Sequence, residues 1–273
     1  FYPEGKQGGI EIIQHGERVV TNGDLRLEPA PGQWSRVPKA GKREVNIEKG
    51  EISVPLSFPE HDYNFVVHVE MEGDSILLSV DLDFPLPSEI IGKVSFNMEL
   101  FPPAYFGKTF HLGSTYSIFP RQANGPMVTM PDGGLEPASM ARGSTLTVAA
   151  EDPLHKMVIK QISDGEMTLL DGRNTVQNGW FIVRSILPPN KTKGALQWRI
   201  TPNSVPKWRR TPIIEVSQVG YHPSQNKRAV IEFDAKTHNF GIATLLRIDS
   251  EKGLSRVFSV QPKKWGKFLH YNY

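Results

Sequence analysis

No cysteine occurs among the 273 residues. That excludes disulfide frameworks and thiolate metal sites. It also argues against a secreted eukaryotic domain, where disulfides are common, and leaves a bacterial periplasmic, secreted or cell-surface protein as the expected setting. Charge of one sign is scarce too: 31 basic and 29 acidic residues leave a formal +2. Nucleic acid needs a concentrated basic stripe. The short basic runs at 207–210 and 263–267 read instead as linker or edge strand, so no nucleic-acid partner is expected. No run of about 18 apolar residues is present, so no membrane span is expected. Amphipathic periodicity longer than about two helical turns is missing, as is any internal repeat. No signal peptide is present in the sequence, and the abrupt ends at Phe1-Tyr2-Pro3 and Tyr273 suggest a processed or cut piece.

Punctuation is abundant. The 24 glycines and 22 prolines recur along the whole length, which favours many short strands over long helices. A hairpin is expected around His15-Gly16-Glu17, and Asn22-Gly23 is a strong turn dipeptide. Strand-like runs follow at 44–47, 52–58, 65–71 and 76–82, a spacing that marks a sandwich or barrel. Residues 91–100 alternate cleanly, with Val94, Phe96, Met98 and Leu100 on one face and Lys93, Ser95, Asn97 and Glu99 on the other. Residues 120–143 read as a long Pro-, Gly- and Met-rich loop. Further strands are expected at 145–149, 157–162, 167–170, 180–186 and 195–200. The segment 202–212, with three prolines and no period, reads as a linker. The expected fold is all-β: a large N-terminal β-sandwich over 1–205, a linker at 206–211, and a second small β-module over 212–273.

The second module opens on a strand, a turn and a strand over 213–232. Ile213, Ile214, Val216 and Val219 suit a half-buried sheet surface, and Gly220 permits a positive φ. Gln218-Val219-Gly220-Tyr221, then Pro223, and then Lys227 with Ala229-Val230 resemble the opening of the immunoglobulin-like domain that precedes the catalytic barrel in family-nine glycoside hydrolases, which are mostly cellulases. Trp265-Gly266-Lys267 and the tail His270-Tyr271-Asn272-Tyr273 fall where that module runs toward its last strands. The resemblance covers roughly residues 212–273. It implies an incomplete immunoglobulin-like sandwich and a parent enzyme that hydrolyses polysaccharide by an inverting mechanism, with two carboxyl groups about 6.5–9.5 Å apart. In that family the carboxylates lie on the helical barrel. The Asp-Ala-Gly-Asp signature is absent here, so no catalytic residue is carried over. What is implied is a non-catalytic front region that braces a catalytic domain of the same polypeptide. The segment 82–113 also loosely resembles the broad supersandwich domains of polysaccharide-acting enzymes and aldose mutarotases.

Sugar rings stack their CH faces on flat aromatic side chains while their hydroxyls seek Asp, Asn, Gln and Arg. The aromatics expected on loops or edges are Trp34, Tyr105, Phe106, Tyr116, Trp180 and Trp208, and 101–106 reads as an exposed, Pro-stiffened cluster. Trp198 alternates with Leu196 and Ile200 and is assigned to the core. A mutarotase would need an acid and a base across a sugar ring. His61, His68, His111 and His155, with Glu99 and Glu136, are available, but no pair has diagnostic spacing. Glu60-His61-Asp62 and the pair Asp81 and Asp83 offer too few oxygens for a calcium site. No cofactor and no metal is expected. Polysaccharide or oligosaccharide is the expected ligand; a stand-alone carbohydrate-binding module is the first alternative and a mutarotase-like sugar enzyme the second.

Overall fold

The computed structural model describes residues 9–27, 38–130, 133–175 and 179–273. The protein is all-β: about half the chain is strand, arranged in several antiparallel sheets, none closed into a barrel. Among the described residues the one α-helix is the single turn Pro102–Tyr105. The chain divides into two compact units, one ending at Val205 and the other running from Pro206 to Tyr273.

The larger unit is built on two sheets. The short sheet runs in the order Ile10–Gln14, Glu17–Arg26, Ser95–Leu100, Phe181–Ile186, Met167–Asp171 and Ser139–Gly143. The long sheet runs Thr115–Ile118, Thr109–Leu112, Thr145–Val148, Met157–Gln161, Leu196–Pro202, Ser75–Leu82, Tyr63–Glu72, Glu51–Phe58 and Lys39–Ala40, with Glu44–Asn46 also on Glu51–Phe58. Period-two alternation sends Val54, Leu56 and Phe58, and likewise Phe110, Leu112, Leu146 and Val148, to a common core. Trp198 sits at its centre with its ring edge-on to Phe96, 5.3 Å between centroids. The indole and the Ser185 hydroxyl both donate to Gln161 Oε1, which satisfies the polar atoms that enter this core.

Several local expectations give way to tertiary structure. Asn22-Gly23 is no hairpin turn. It is a bulge inside the ten-residue strand Glu17–Arg26, where the pairing with Ser95–Leu100 slips between Thr21 and Asp24. Asn22 does take a positive φ of 50°, as its turn chemistry suggests, but the chain goes on as strand. The expected loop at 120–143 carries Met127–Thr129 paired with Leu135–Pro137, and then Ser139–Gly143 on the edge of the short sheet. That edge requires glycine at two facing places: a Cβ on Gly113 would lie 2.3 Å from the Arg142 carbonyl oxygen, and one on Gly143 would lie 2.6 Å from the Gly113 nitrogen. The strand expected from residue 91 begins at Ser95, and both of its faces are buried.

In the unit from Pro206, Ile213–Glu215 pairs with Val230–Asp234, which continues to Tyr271–Asn272 and Lys267–Phe268. A separate hairpin joins Ala243–Asp249 to Gly253–Val260. The turn that carries the family resemblance is a self-supporting device. Gly220 has φ +79°; the Tyr221 hydroxyl accepts from the Ser217 amide at 3.2 Å and donates to the Arg228 carbonyl, tying the two strands together. Lys227 Nζ donates to the carbonyls of Pro223 and Gln225 across the same turn. The last strands are held by polar contacts: Arg210 pairs with Glu232 and covers the Tyr271 ring, and Asn272 donates to the carbonyls of Asp234, Ala235 and Thr237. Among the described residues, Phe233 is the one hydrophobic side chain of this unit that is buried.

Candidate functional site

The outer face of the long sheet offers the accessible site. Strand register places Tyr116 opposite His111, His111 opposite Thr147, Thr147 opposite Val158 and Val158 opposite Thr201. Thr201 Oγ1 then meets Ser75 Oγ at 2.7 Å. The row crosses five interstrand steps of about 4.8 Å, so it is about 24 Å long. Its end is a flat platform. The Tyr116 ring is 76 % exposed and lies parallel to the His111 ring, with 3.8 Å between centroids and 11° between planes. His111 is itself fixed by a 2.8 Å hydrogen bond between Nε2 and the Gly113 carbonyl. Beside the row, Thr109 is held by the Glu151 carboxylate through its amide and hydroxyl.

The other aromatics expected at a site are not gathered with Tyr116. Trp34 lies outside the described residues. Tyr105 is fully buried, which corrects its place in an exposed cluster. The prolines at 102 and 103 start a helical turn rather than a stiff loop, and that turn drives Tyr105 against Phe119. Burial, with Glu17 and Asp152 nearby, pushes its phenol far above the usual range. Phe106 is half-buried, edge-on to Phe181 and covered by the Arg173 guanidinium at 5.1 Å. Trp180 is half-buried and edge-on to Phe101 at 6.3 Å. Trp208, also half-buried, belongs to the other unit.

The acid–base candidates fall into separate places. His155 is clamped by carboxylates at both ring nitrogens, Nδ1 to Asp152 at 2.7 Å and Nε2 to Glu17 at 3.0 Å. Asp152, against the upward push of burial, is held down at about 2 by hydrogen bonds from Lys108, His155 and the Leu154 amide. His68 stands 3.4 Å from Glu51 and 3.8 Å from Asp81. Asp81 is occupied by Lys193 Nζ at 2.9 Å and the Gly194 amide at 2.8 Å. Among the described residues no three metal-binding side chains come together.

Glu99 and Glu136 do meet one feature, the outer face of the short sheet, but among the described residues their hydrogen-bond partners are Asn22 and Arg184 and not a histidine. This face holds a buried polar network that the sequence pattern reads as solvent-facing. The Asn22 bulge aims its amide at Glu99 Oε2, 2.6 Å away. Asp24 Oδ1 accepts from the Leu25 amide at 2.7 Å, and Arg26 stands 3.9 Å from Oδ2, too far for a hydrogen bond. Burial raises Asp24 to about 6 against the pull of Arg26 and the Leu25 amide. Burial likewise raises Glu99 against Asn22 and Arg26. One row along, Arg184 reaches both oxygens of Glu136 at 3.3 Å, and burial depresses the guanidinium despite that partner. The signal that could have found this network is the count of charged and amide residues, Asn22, Asp24, Arg26, Asn97 and Glu99, on two strands that are apolar on their other face. Comparison with protein-family models, with curated proteins and with solved structures finds no match to this chain.

Proposed function

We propose that this chain is the non-catalytic N-terminal accessory region of a polysaccharide-degrading glycoside hydrolase, and that its large sandwich holds a glycan chain along the outer face of the long sheet. The observation that carries the reading is the Tyr116–His111 platform at the head of a row about 24 Å long that continues through Thr147, Val158, Thr201 and Ser75. An exposed aromatic ring held flat by a neighbour costs little conformational entropy when a sugar ring stacks on it. The threonine and serine hydroxyls along the row can each donate and accept, as sugar hydroxyls do. The reading also rests on the resemblance of the Gly220–Tyr221 turn sequence to the opening of the module that precedes the catalytic barrel. Such a region acts where polysaccharide is met, in the bacterial periplasm or outside the cell.

The test is calorimetric titration of the chain with a panel of soluble β-glucans and other plant and bacterial polysaccharides. Binding to at least one is expected, with a loss of about tenfold or more for Tyr116→Ala, since one stacked ring contributes about 1–3 kcal/mol. The thermal midpoint of that variant should match the parent, because Tyr116 packs on the surface. Absence of binding across the panel, or full binding by Tyr116→Ala, would refute the glycan face.

A further inference from the structure

The unit from Pro206 to Tyr273 leaves its apolar residues in the open. Val219 is 99 % exposed, Ile248 85 % and Trp265 77 %. Its hairpin, Ala243–Asp249 with Gly253–Val260, gains no third strand among the described residues, and a lone hairpin is marginal in water. Leu245, Leu246, Ile248, Leu254 and Phe258 are exposed on the hairpin strands, whose charged residues are Arg247, Asp249 and Arg256 and which contain no proline. Between the hairpin and the strand Val230–Asp234 runs a groove of about 750 Å³, floored by Val230, Ile231, Phe233, Phe240, Phe258 and Val260. Its rim carries Lys227, Arg228, Lys263 and Lys264, and no Asp or Glu is among its lining residues. Lys227 is engaged with its own turn, while Arg228, Lys263 and Lys264 form no salt bridge among the described residues.

We propose that this groove receives an extended β-strand from another polypeptide, apolar along one face and acidic at its ends, which pairs with the open edge of the hairpin. Three features converge on that occupant. The unpaired hairpin edge supplies backbone donors and acceptors in the strand-addition mode. The floor supplies apolar contacts for alternate side chains of the incoming strand. The uncompensated cations at the rim select acidic flanks and disfavour a second copy of this chain, whose own groove carries the same sign.

The experiment uses the full chain and two fluorescent twelve-residue peptides. Both share a central alternating Val-Thr run; one has two Glu at each end and the other two Lys. Anisotropy at low salt should show the acidic peptide binding about tenfold tighter, the product of several exposed charge pairs of modest strength. The preference should reverse in the double variant Arg228→Glu, Lys264→Glu, and amide exchange should slow along 243–260 only when peptide is bound. Equal binding of both peptides, no binding of either, or self-association of the chain that blocks the peptide would overturn the proposal. None of these outcomes bears on glycan binding, which is read separately through Tyr116.

Discussion

The buried carboxyl of Asp24 makes a pH dependence that can be worked out in advance. Asp24 is about 8 % exposed, beside an Arg26 that is close enough to attract but not to hydrogen-bond. Burial therefore wins, and the native carboxyl titrates at about 6 against an ordinary 3.8. Between these values the native state holds a proton that the unfolded chain has already lost, so native stability must fall as pH rises. The difference, taken at 1.36 kcal/mol per pH unit, is about 3 kcal/mol, all of it lost by about pH 7. The perturbation is Asp24→Asn, whose carbonyl oxygen can still accept from the Leu25 amide and which does not titrate. The assay is urea unfolding of parent and variant from pH 4 to 8, followed by the fluorescence of buried Trp198. The absolute offset contains whatever Arg26 loses, but that offset is constant, because Arg26 stays charged throughout. Glu99 is raised in both proteins and largely subtracts out. Part of the Asp24 contribution is already lost at pH 4, just above the ordinary 3.8, so stability of the parent relative to the variant should drop by about 2.4 kcal/mol between pH 4 and 7. A flat difference, or one that moves in favour of the parent as pH rises, would refute the account of a desolvated carboxyl.

Other outcomes follow from single contacts. Glu136→Gln strands the buried Arg184 guanidinium and should cost about 3–5 kcal/mol in chemical denaturation, whereas replacing both residues by Leu and Met should recover most of it. Phe96→Ala removes the ring that meets Trp198 edge-on and should cost about 3–5 kcal/mol, with loss of the near-ultraviolet dichroism of that indole. Tyr221→Phe deletes both hydrogen bonds that close the 217–228 turn; amide exchange at Ser217 should quicken about tenfold or more while exchange in the large sandwich stays unchanged.

Alternation identifies strands well where one face meets water. Glu51–Phe58, Tyr63–Glu72 and Ser75–Leu82 fall within a residue or two of their expected positions, and Trp198 lands in the core because Leu196 and Ile200 flank it at the same period. The same rule misreads Ser95–Leu100. Its polar residues alternate as if solvated, yet Ser95, Asn97 and Glu99 are buried against the side chains of Glu17–Arg26 and their neighbours. Periodicity reports which residues share a face, not whether that face is wet. Asn22-Gly23 shows the same limit for turns. Local chemistry correctly favours positive φ at Asn22, but whether the chain reverses or bulges depends on the partner strand 77 residues away, where Glu99 waits. Tyr105 fails for a third reason: the Pro102-Pro103 pair suits the first turn of a helix as well as an extended loop, and the structure uses the first. Tyr116 is legible as an edge aromatic. The row that it heads is not, because Ser75 and Thr201 reach it only through the register of the intervening strands.

The two units rest on different physics, and this sorts what each can do. The large sandwich closes on an apolar core in which Phe96, Trp198, Leu78 and Val183 are completely buried, so its outer sheet face keeps side chains at fixed spacing. A repeating ligand such as a glycan chain is matched by a fixed spacing, and a rigid face loses little entropy in binding it. The smaller unit has one buried hydrophobic residue among those described and is held by Arg210, Asn272 and Tyr221 rather than by a core. Its apolar floor becomes stabilising only when something covers it. A β-strand laid along the hairpin edge would bury that floor and pair the open backbone in one step. Order in this unit is therefore expected to grow with occupancy of the groove, while the large sandwich keeps its structure either way.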